Sequence, residues 1–348
     1  MGMLWFWIVA VMLVGYVVLD GFDLGVGIIY LFVAGSDRER MQSIRSIGPV
    51  WDGNEVWLLA AGGTLFFAFP LLYASAFSGF YLPLMIVLWL LILRGVSIEL
   101  RSHIDDHMWK GFFDVVFFVS STLLAIFYGA ALANVVRGVP IGTDSYFFLP
   151  LWTNWQPGPN PGILDWYTVL GGVMALAALA LHGSLYLAMK TEGELERRAG
   201  ALARKLLWVV ALLTVLGLPA TVLARPNSLA NYELHPVAFL APLGVLAALV
   251  VAFVAMHRRS EGTAFLASCG YLLFMMVGAV AGLFPVLLPN VAPGGHDITV
   301  ALALAGSHTL NVGLVWWSIG MALAVFYAAV SYWLFRGKVA KDAESYGH

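Results

Sequence analysis

The chain has 348 residues, 61% of them hydrophobic, 14% aromatic and only 11% charged, with a formal net charge of −2. A soluble domain carries roughly a quarter charged residues, and a chain this apolar could not cover itself with polar surface. Composition therefore excludes a soluble enzyme, a disordered chain and a fibrous protein, gives no footing to a nucleic-acid partner, and indicates a polytopic membrane protein.

A helix crossing the hydrocarbon core needs about 20 mainly apolar residues. Nine stretches qualify, at about 4–33, 50–70, 79–99, 112–136, 163–189, 205–224, 237–256, 264–285 and 303–335. They predict an all-α protein forming one integral membrane domain over residues 1–348. The second stretch carries Asp52, Glu55 and several glycines, and only Pro70 to Ser78 separates it from the third, so a hydropathy window could pass over it and count eight. Residues 1–7 hold no Lys or Arg, so the first stretch is expected to be a retained helix and not a cleaved signal. The longest outside loop, about 137–162, is rich in Pro, Gly and aromatics and reads as an ordered cap at the interface.

Nine spans also sort the cations. Of the 18 Lys and Arg, 15 fall in the loops after spans 1, 3, 5 and 7 and in the tail after span 9. Only Arg137 and Arg225 fall on the other side, and Arg94 lies within a span. By the positive-inside rule the crowded side is cytoplasmic, which predicts an outside N-terminus and a cytoplasmic C-terminus.

Ionisable groups inside spans are costly and mark function. Span 1 holds Asp20 and Asp23, spaced i, i+3 on one helix face, within Asp20-Gly21-Phe22-Asp23-Leu24-Gly25. Gly21 and Gly25, spaced i, i+4, predict close approach of a second helix. Span 2 opens with Asp52 and Glu55, again i, i+3, and span 3 ends with Arg94 and Glu99. At 1.5 Å rise per residue, these four lie within roughly 10 Å of the cytoplasmic face, with Asp23 and Asp20 roughly 15–20 Å deep. One reading is a proton path, since carboxyl groups in low dielectric can exchange protons near neutral pH. The other is an ion-pair network that fixes helix packing, with Arg94 clamping Asp52 or Glu99. Asp114, near the start of span 4, is expected to reach the headgroups.

Other polar residues carry less. His182 in span 5 and His308 near the outer end of span 9 could in principle ligate a haem, but read better as packing histidines. His103 and His107 read as solvated, and no metal site is expected. Cys269, the single cysteine, reads as a small buried hydrophobe. Most of the 13 Trp sit near span ends, as interface anchors do. No nucleotide-binding loop or nucleophilic triad is visible.

Several runs resemble subunit II of the cytochrome bd quinol oxidases. They are Asp-Gly-Phe-Asp-Leu-Gly-Val-Gly (20–27), Gly-Pro-Val-Trp-Asp-Gly-Asn-Glu-Val-Trp-Leu (48–58), Ala-Phe-Ser-Gly-Phe-Tyr (76–81), Leu-Arg-Gly (93–95), Phe-Pro (284–285), Thr-Leu-Asn (309–311) and Tyr-Trp (332–333). The resemblance covers nearly the whole chain and implies two four-helix bundles plus one peripheral helix. It implies a complex that oxidises membrane quinol and reduces dioxygen to water in the bacterial cytoplasmic (inner) membrane. The haem-binding subunit I would carry haems b558, b595 and d, and this chain none. Some members hold a structural quinone in subunit II, and some complexes add small single-helix accessory subunits. By motif, Asp52 with Trp57 would be the family's channel mouth and Arg94 its channel arginine. Glu99 stands where other members carry Asp, and Glu55 where some carry Gln.

Without the resemblance, the intramembrane charges would suggest a proton-coupled secondary transporter, with Asp20, Asp23, Asp52, Glu99 and Arg94 as a coupling site. A third possibility is a scaffold subunit whose charges only stabilise packing.

Overall fold

The structure is a computed structural model that describes residues 1–339, so Lys341, one of the cytoplasmic cations counted above, lies outside the described residues. The chain runs α1 (Gly2–Val33), α2 (Asp37–Ile47), α3 (Trp51–Ala68), α4 (Pro70–Gly79), α5 (Tyr81–Leu100), α6 (His107–Arg137), α7 (Trp166–Lys190) and α8 (Glu194–Ala224). It continues through α9 (Ala230–Leu234), α10 (Leu240–His257), α11 (Glu261–Leu283), β1 (Val286–Leu288), β2 (Ile298–Thr299), α12 (Val300–Ala303) and α13 (Ser307–Leu334). Among the described residues, eight helices are long and apolar enough to cross a membrane, and α3 with α4 makes a ninth candidate as a bent pair.

The bend corrects the expected second span. α3 stops at Ala68, and α4 leaves it at 119°. Pro70 supplies the reason: it offers no N–H to continue the α3 ladder, but it suits the first position of a new helix. The stretch expected to be a bare connector is thus a helix. Two other connectors are ordered as well. The link after α1 folds as α2, whose first turn is capped by the Ser36 hydroxyl accepting from the Glu39 amide. The link between α8 and α10 winds through short turns and α9. The all-α expectation holds apart from β1 and β2, a small antiparallel pair between α11 and α12.

Loop 138–162 is anchored as the cap reading anticipates. Val139, Ile141, Phe147 and Leu149 are buried, while Trp152 and Trp155 stay exposed. Gly138 adopts φ +100 where Val139 bridges to Asn290, a conformation open to glycine. Asp165 then starts α7 with a reciprocal capping box with Thr168.

α1 is the hub. It packs on α3, α6, α7 and α11, while α7 also packs on α6, α8 and α11. α5 packs on α6, and α10 on α11. α13 packs mainly on α3, and Leu310 is its one buried residue. Glycine explains the tightest crossing. A Cβ added to Gly25 would lie 2.1 Å from the Leu179 carbonyl oxygen and 2.6 Å from the Gly183 amide nitrogen, so α1 and α7 meet backbone to backbone. Gly21, one turn earlier, faces the Leu179 side chain of the same helix. Gly25 thus lies in the backbone crossing, whereas Gly21 meets only side chains.

Candidate functional site

The α1 carboxylates are met by side chains from α3 and α5. Asp20, Asp23 and Arg94 are fully buried. From α5, Arg94 reaches Asp20 with both terminal nitrogens, Nη2 to Oδ1 at 2.8 Å and Nη1 to Oδ2 at 2.9 Å. Its Nη2 also contacts Glu55 Oε2 on α3 at 2.9 Å. The planar guanidinium suits this task because its fork can hold two carboxylates at once.

Asp23 is served differently. Asn54 of α3 donates from Nδ2 to Asp23 Oδ2 at 2.7 Å and lies 3.2 Å from the Leu19 carbonyl. Tyr332 of α13 donates to Asn54 Oδ1 at 2.8 Å, which fixes the amide orientation. Asp23 Oδ1 is buried and finds no hydrogen-bond partner among the described residues. One turn before Asp20, the buried Tyr16 donates to Tyr128 of α6 at 2.9 Å.

Sequence spacing therefore selected the right helices, but the clamp differs from expectation. Arg94 pairs with Asp20 and Glu55, not with Asp52 or Glu99. Asp52 and Glu99 are both exposed on this chain. On α3, Asn54 turns to α1 and Glu55 to Arg94 of α5, and Asp52 does neither. Trp57 is half-buried, with its ring against Gly15 of α1. Asn54 and Tyr332 stand in the motif runs, but an uncharged amide or a phenol within a span gives no signal in composition or charge spacing.

A second charged cluster corrects the reading of Asp114, which is buried and does not reach outward. It accepts from Arg40 at 2.7 Å, from Arg101 and from the Tyr30 hydroxyl. Arg101, counted above as a loop cation, is buried and extends to Asp37 at 2.6 Å. At the other end of the molecule Arg137 is also buried. It pairs with Asp165 and donates to Asn134 Oδ1 at 2.6 Å and to the Gly162 carbonyl at 3.2 Å, tying together both ends of loop 138–162.

His182 and His308 are not placed as a ligating pair. His182 lies 2.7 Å from Ser268 Oγ through Nδ1 and 3.0 Å from the Val18 carbonyl through Nε2, with its ring stacked on Phe265. Neither nitrogen is free to ligate, and His308 is exposed. His103 and His107 are exposed, and Cys269 is half-buried and not fully enclosed. Among the described residues no group of His, Cys, Asp and Glu could hold a metal ion.

Comparison with known proteins agrees along the full length. Residues 1–335 match the family model described as cytochrome bd terminal oxidase subunit II. The chain is 32% identical to the cytochrome bd-I ubiquinol oxidase subunit 2 of Escherichia coli (strain K12), over 97% of this chain and 95% of that protein. It is 32% identical to the cytochrome bd ubiquinol oxidase subunit 2 of Bacillus subtilis (strain 168), over 97% and 96%. A chain from the solved structure of the bd oxidase from Geobacillus thermodenitrificans shares the fold with a TM-score of 0.74 at 17% identity, over 96% of this chain and 99% of that one. The transporter reading is not favoured. With an apolar helical architecture, buried carboxylates around one arginine and these matches along its length, the chain belongs to the cytochrome bd terminal oxidase subunit II family and is a multi-pass membrane subunit of a quinol oxidase complex.

Proposed function

We propose that this chain conducts protons from the cytoplasm toward the partner, subunit I, which holds the haems where dioxygen is reduced to water. The reading takes the N-terminus as outside and the C-terminus as cytoplasmic, following the cation distribution. Protons consumed at the haems are then drawn from the cytoplasm while those of quinol leave outside, so charge separates without a pump.

One observation carries the proposal: Asp20 and Glu55 share the Arg94 guanidinium inside the membrane-spanning region, and Asp23, held by Asn54, lies one turn from Asp20 with no cation of its own among the described residues. Arg94 can balance one negative charge, and an uncompensated buried charge is very costly. The neutral cluster therefore accommodates two protons on three carboxyl groups. Such a group can store a proton and pass it on without a net change in its pairing. Glu55, whose side chain is 20% exposed, links the surface to the buried pair, and Asp52 lies one turn away at the rim as a collecting carboxylate. Glu99 adds a second exposed carboxylate near the same end. Trp57, beside Gly15, narrows the space between α1 and α3.

Haems b558, b595 and d supply the oxygen chemistry from subunit I, and the residues here bind none of them. The structural quinone and single-helix accessory subunits of some family complexes would be further partners. The test is Asp52→Asn and Asp23→Asn in the purified complex. Turnover should fall severalfold with haem content near normal. Haem lost in step with activity would instead assign the cluster to assembly, as in a scaffold subunit.

A further inference from the structure

A cavity of about 340 Å³ opens at the end of the helices that carries the Lys and Arg, between the end of α7, the start of α11 and the end of α13. Ligand pockets run from roughly 300 to 1,000 Å³, so this one holds part of a long ligand. Its floor is apolar. Tyr186 lies one turn inside Lys190 on α7, Tyr332 lies one turn inside Arg336, and Phe265 joins them from α11. The hydroxyl hydrogens around this floor are spent inward. Tyr186 donates to the Ser46 carbonyl at 2.6 Å, Tyr332 to Asn54 Oδ1 at 2.8 Å, and Ser46 to the Ser43 carbonyl at 2.6 Å.

The rim is cationic. Lys190, Arg336 and Lys338 belong to the lining, and among the described residues no carboxylate does. Lys338 is engaged, 3.2 Å from Glu196 and 3.1 Å from Glu261. Arg336 makes no ion pair among the described residues and lies over the Trp333 ring, 5.1 Å from its centroid. Lys190 Nζ donates to the Phe335 carbonyl at 2.6 Å and keeps two hydrogens for another acceptor. The rim is also held in place. Past Gly337, the Val339 amide donates to the Lys190 carbonyl at 2.7 Å, and Gln42 donates to the Val339 carbonyl at 2.8 Å.

We infer that this cavity binds an anionic phospholipid, with the phosphate between Lys190 and Arg336 and the start of an acyl chain against Tyr186, Phe265 and Tyr332. Charge complementarity carries the choice. Two cations without carboxylate partners stand one turn outside an apolar floor, and basic pockets between spans take acidic lipid headgroups. The rest of the chain has a surface to follow, since Leu310 is the one buried residue of α13. A quinone suits the floor less well, because its carbonyl oxygens need donors and the hydroxyl hydrogens there are taken. By joining α7 to the segment after α13, the lipid fastens a helix that otherwise packs mainly on α3. None of this depends on the proton-conducting reading of the Arg94 cluster.

The experiment uses the intact complex, washed in neutral detergent, with dioleoyl phosphatidylglycerol as the probe. Retained lipid is counted by mass spectrometry, and binding is read from the rise in melting temperature as lipid is added back. The unaltered complex should retain one more phosphatidylglycerol than the complex with Lys190→Gln and Arg336→Gln, in which the new amide at 190 can still donate to Phe335. Each cation removed should weaken binding about fivefold. Met189→Trp fills the cavity, leaves the charges alone and should lose the same lipid. Should either of these fail to assemble, Arg336→Gln alone, on an exposed residue, still reads the fivefold change. Equal retention and equal affinity in the unaltered and altered complexes would overturn the site. Phosphatidylcholine binding as tightly as phosphatidylglycerol would overturn the role of charge. Inorganic phosphate raising the melting temperature as much as the lipid would mean an ion site without a chain. Quinone, and not phosphatidylglycerol, lost from the variants would overturn the lipid assignment.

Discussion

Arg94 and Asp20 join α5 to α1 through a two-pronged ion pair, at 2.8 and 2.9 Å, with neither residue exposed. Removing one partner of a buried pair leaves the other charged and unpaired, at a cost of about 3–5 kcal/mol. Arg94→Ala should lower the melting temperature of the purified complex and its yield. Arg94→Lys should recover only part of the loss, because a single ammonium cannot hold Asp20 and Glu55 in the same fork. An unchanged melting profile for Arg94→Ala would show that the pair is not what holds α5 in place.

The two carboxylates on Arg94 are not equivalent. Glu55 is partly exposed and Asp20 is enclosed. Glu55→Gln keeps a hydrogen-bonding oxygen for Arg94, and should reduce turnover about twofold to fivefold with stability kept. Asp20→Asn removes the charge that best compensates the guanidinium and should cost stability and turnover together. Paired melting and oxygen-consumption measurements on the two variants check the order.

Gly25 and Gly21 differ in what an added methyl would meet. At Gly25 it would lie 2.1 Å from a backbone oxygen, and at Gly21 it would lie 3.0 Å from a leucine methyl that can turn aside. Gly25→Ala must push α1 from α7. It should destabilise by about 1–3 kcal/mol or more, as overpacking does. Gly21→Ala should be tolerated, and the yield of intact complex after detergent extraction separates them.

Asp37 lies in α2, outside the spans. Burial pushes its carboxyl up, but the Arg101 hydrogen bond and charge, with help from Lys110, outweigh this and hold it below its ordinary value. Its folded value thus lies below the unfolded one. The contribution is complete above about pH 4 and is lost as pH falls through the folded value. Asp37→Asn should lose this contribution in the neutral range, lowering stability there slightly, and flatten that part of the acid-side loss. Melting curves taken across the acid range read it, and a variant with an unaltered acid limb would contradict the assignment.

His182 uses both ring nitrogens within this chain. His182→Ala should leave the haem spectrum of the complex intact while lowering its melting temperature. Loss of one haem band would mean that the histidine serves a cofactor.

Much of the site was legible from spacing. The i, i+3 pairs Asp20–Asp23 and Asp52–Glu55, and an arginine within a span, already named the helices that meet. What spacing could not reveal was rotation about each helix axis. Asp52 and Glu55 are three residues apart, yet only Glu55 touches Arg94, because Asn54 turns to α1 and Glu55 to Arg94 of α5 while Asp52 faces outward. Arg101 and Arg137 looked like loop cations because both stand at helix ends, and only packing shows that Asp114 and Asp165 draw them inside. The 119° bend at Phe69 was not anticipated, since residues 70–78 read only as a separator between two spans.

Composition, spacing and motif were enough for the membrane class, most of the helical spans and the family, since each of these is written locally along the chain. Which carboxylates share Arg94, and that Asn54 and Tyr332 hold Asp23, emerged from packing alone. The difference is one of range. Hydrophobic burial acts residue by residue and leaves a pattern along the chain, whereas an ion pair needs two side chains within about 4 Å. That distance is set by the neighbours a helix acquires and by the face it turns to them.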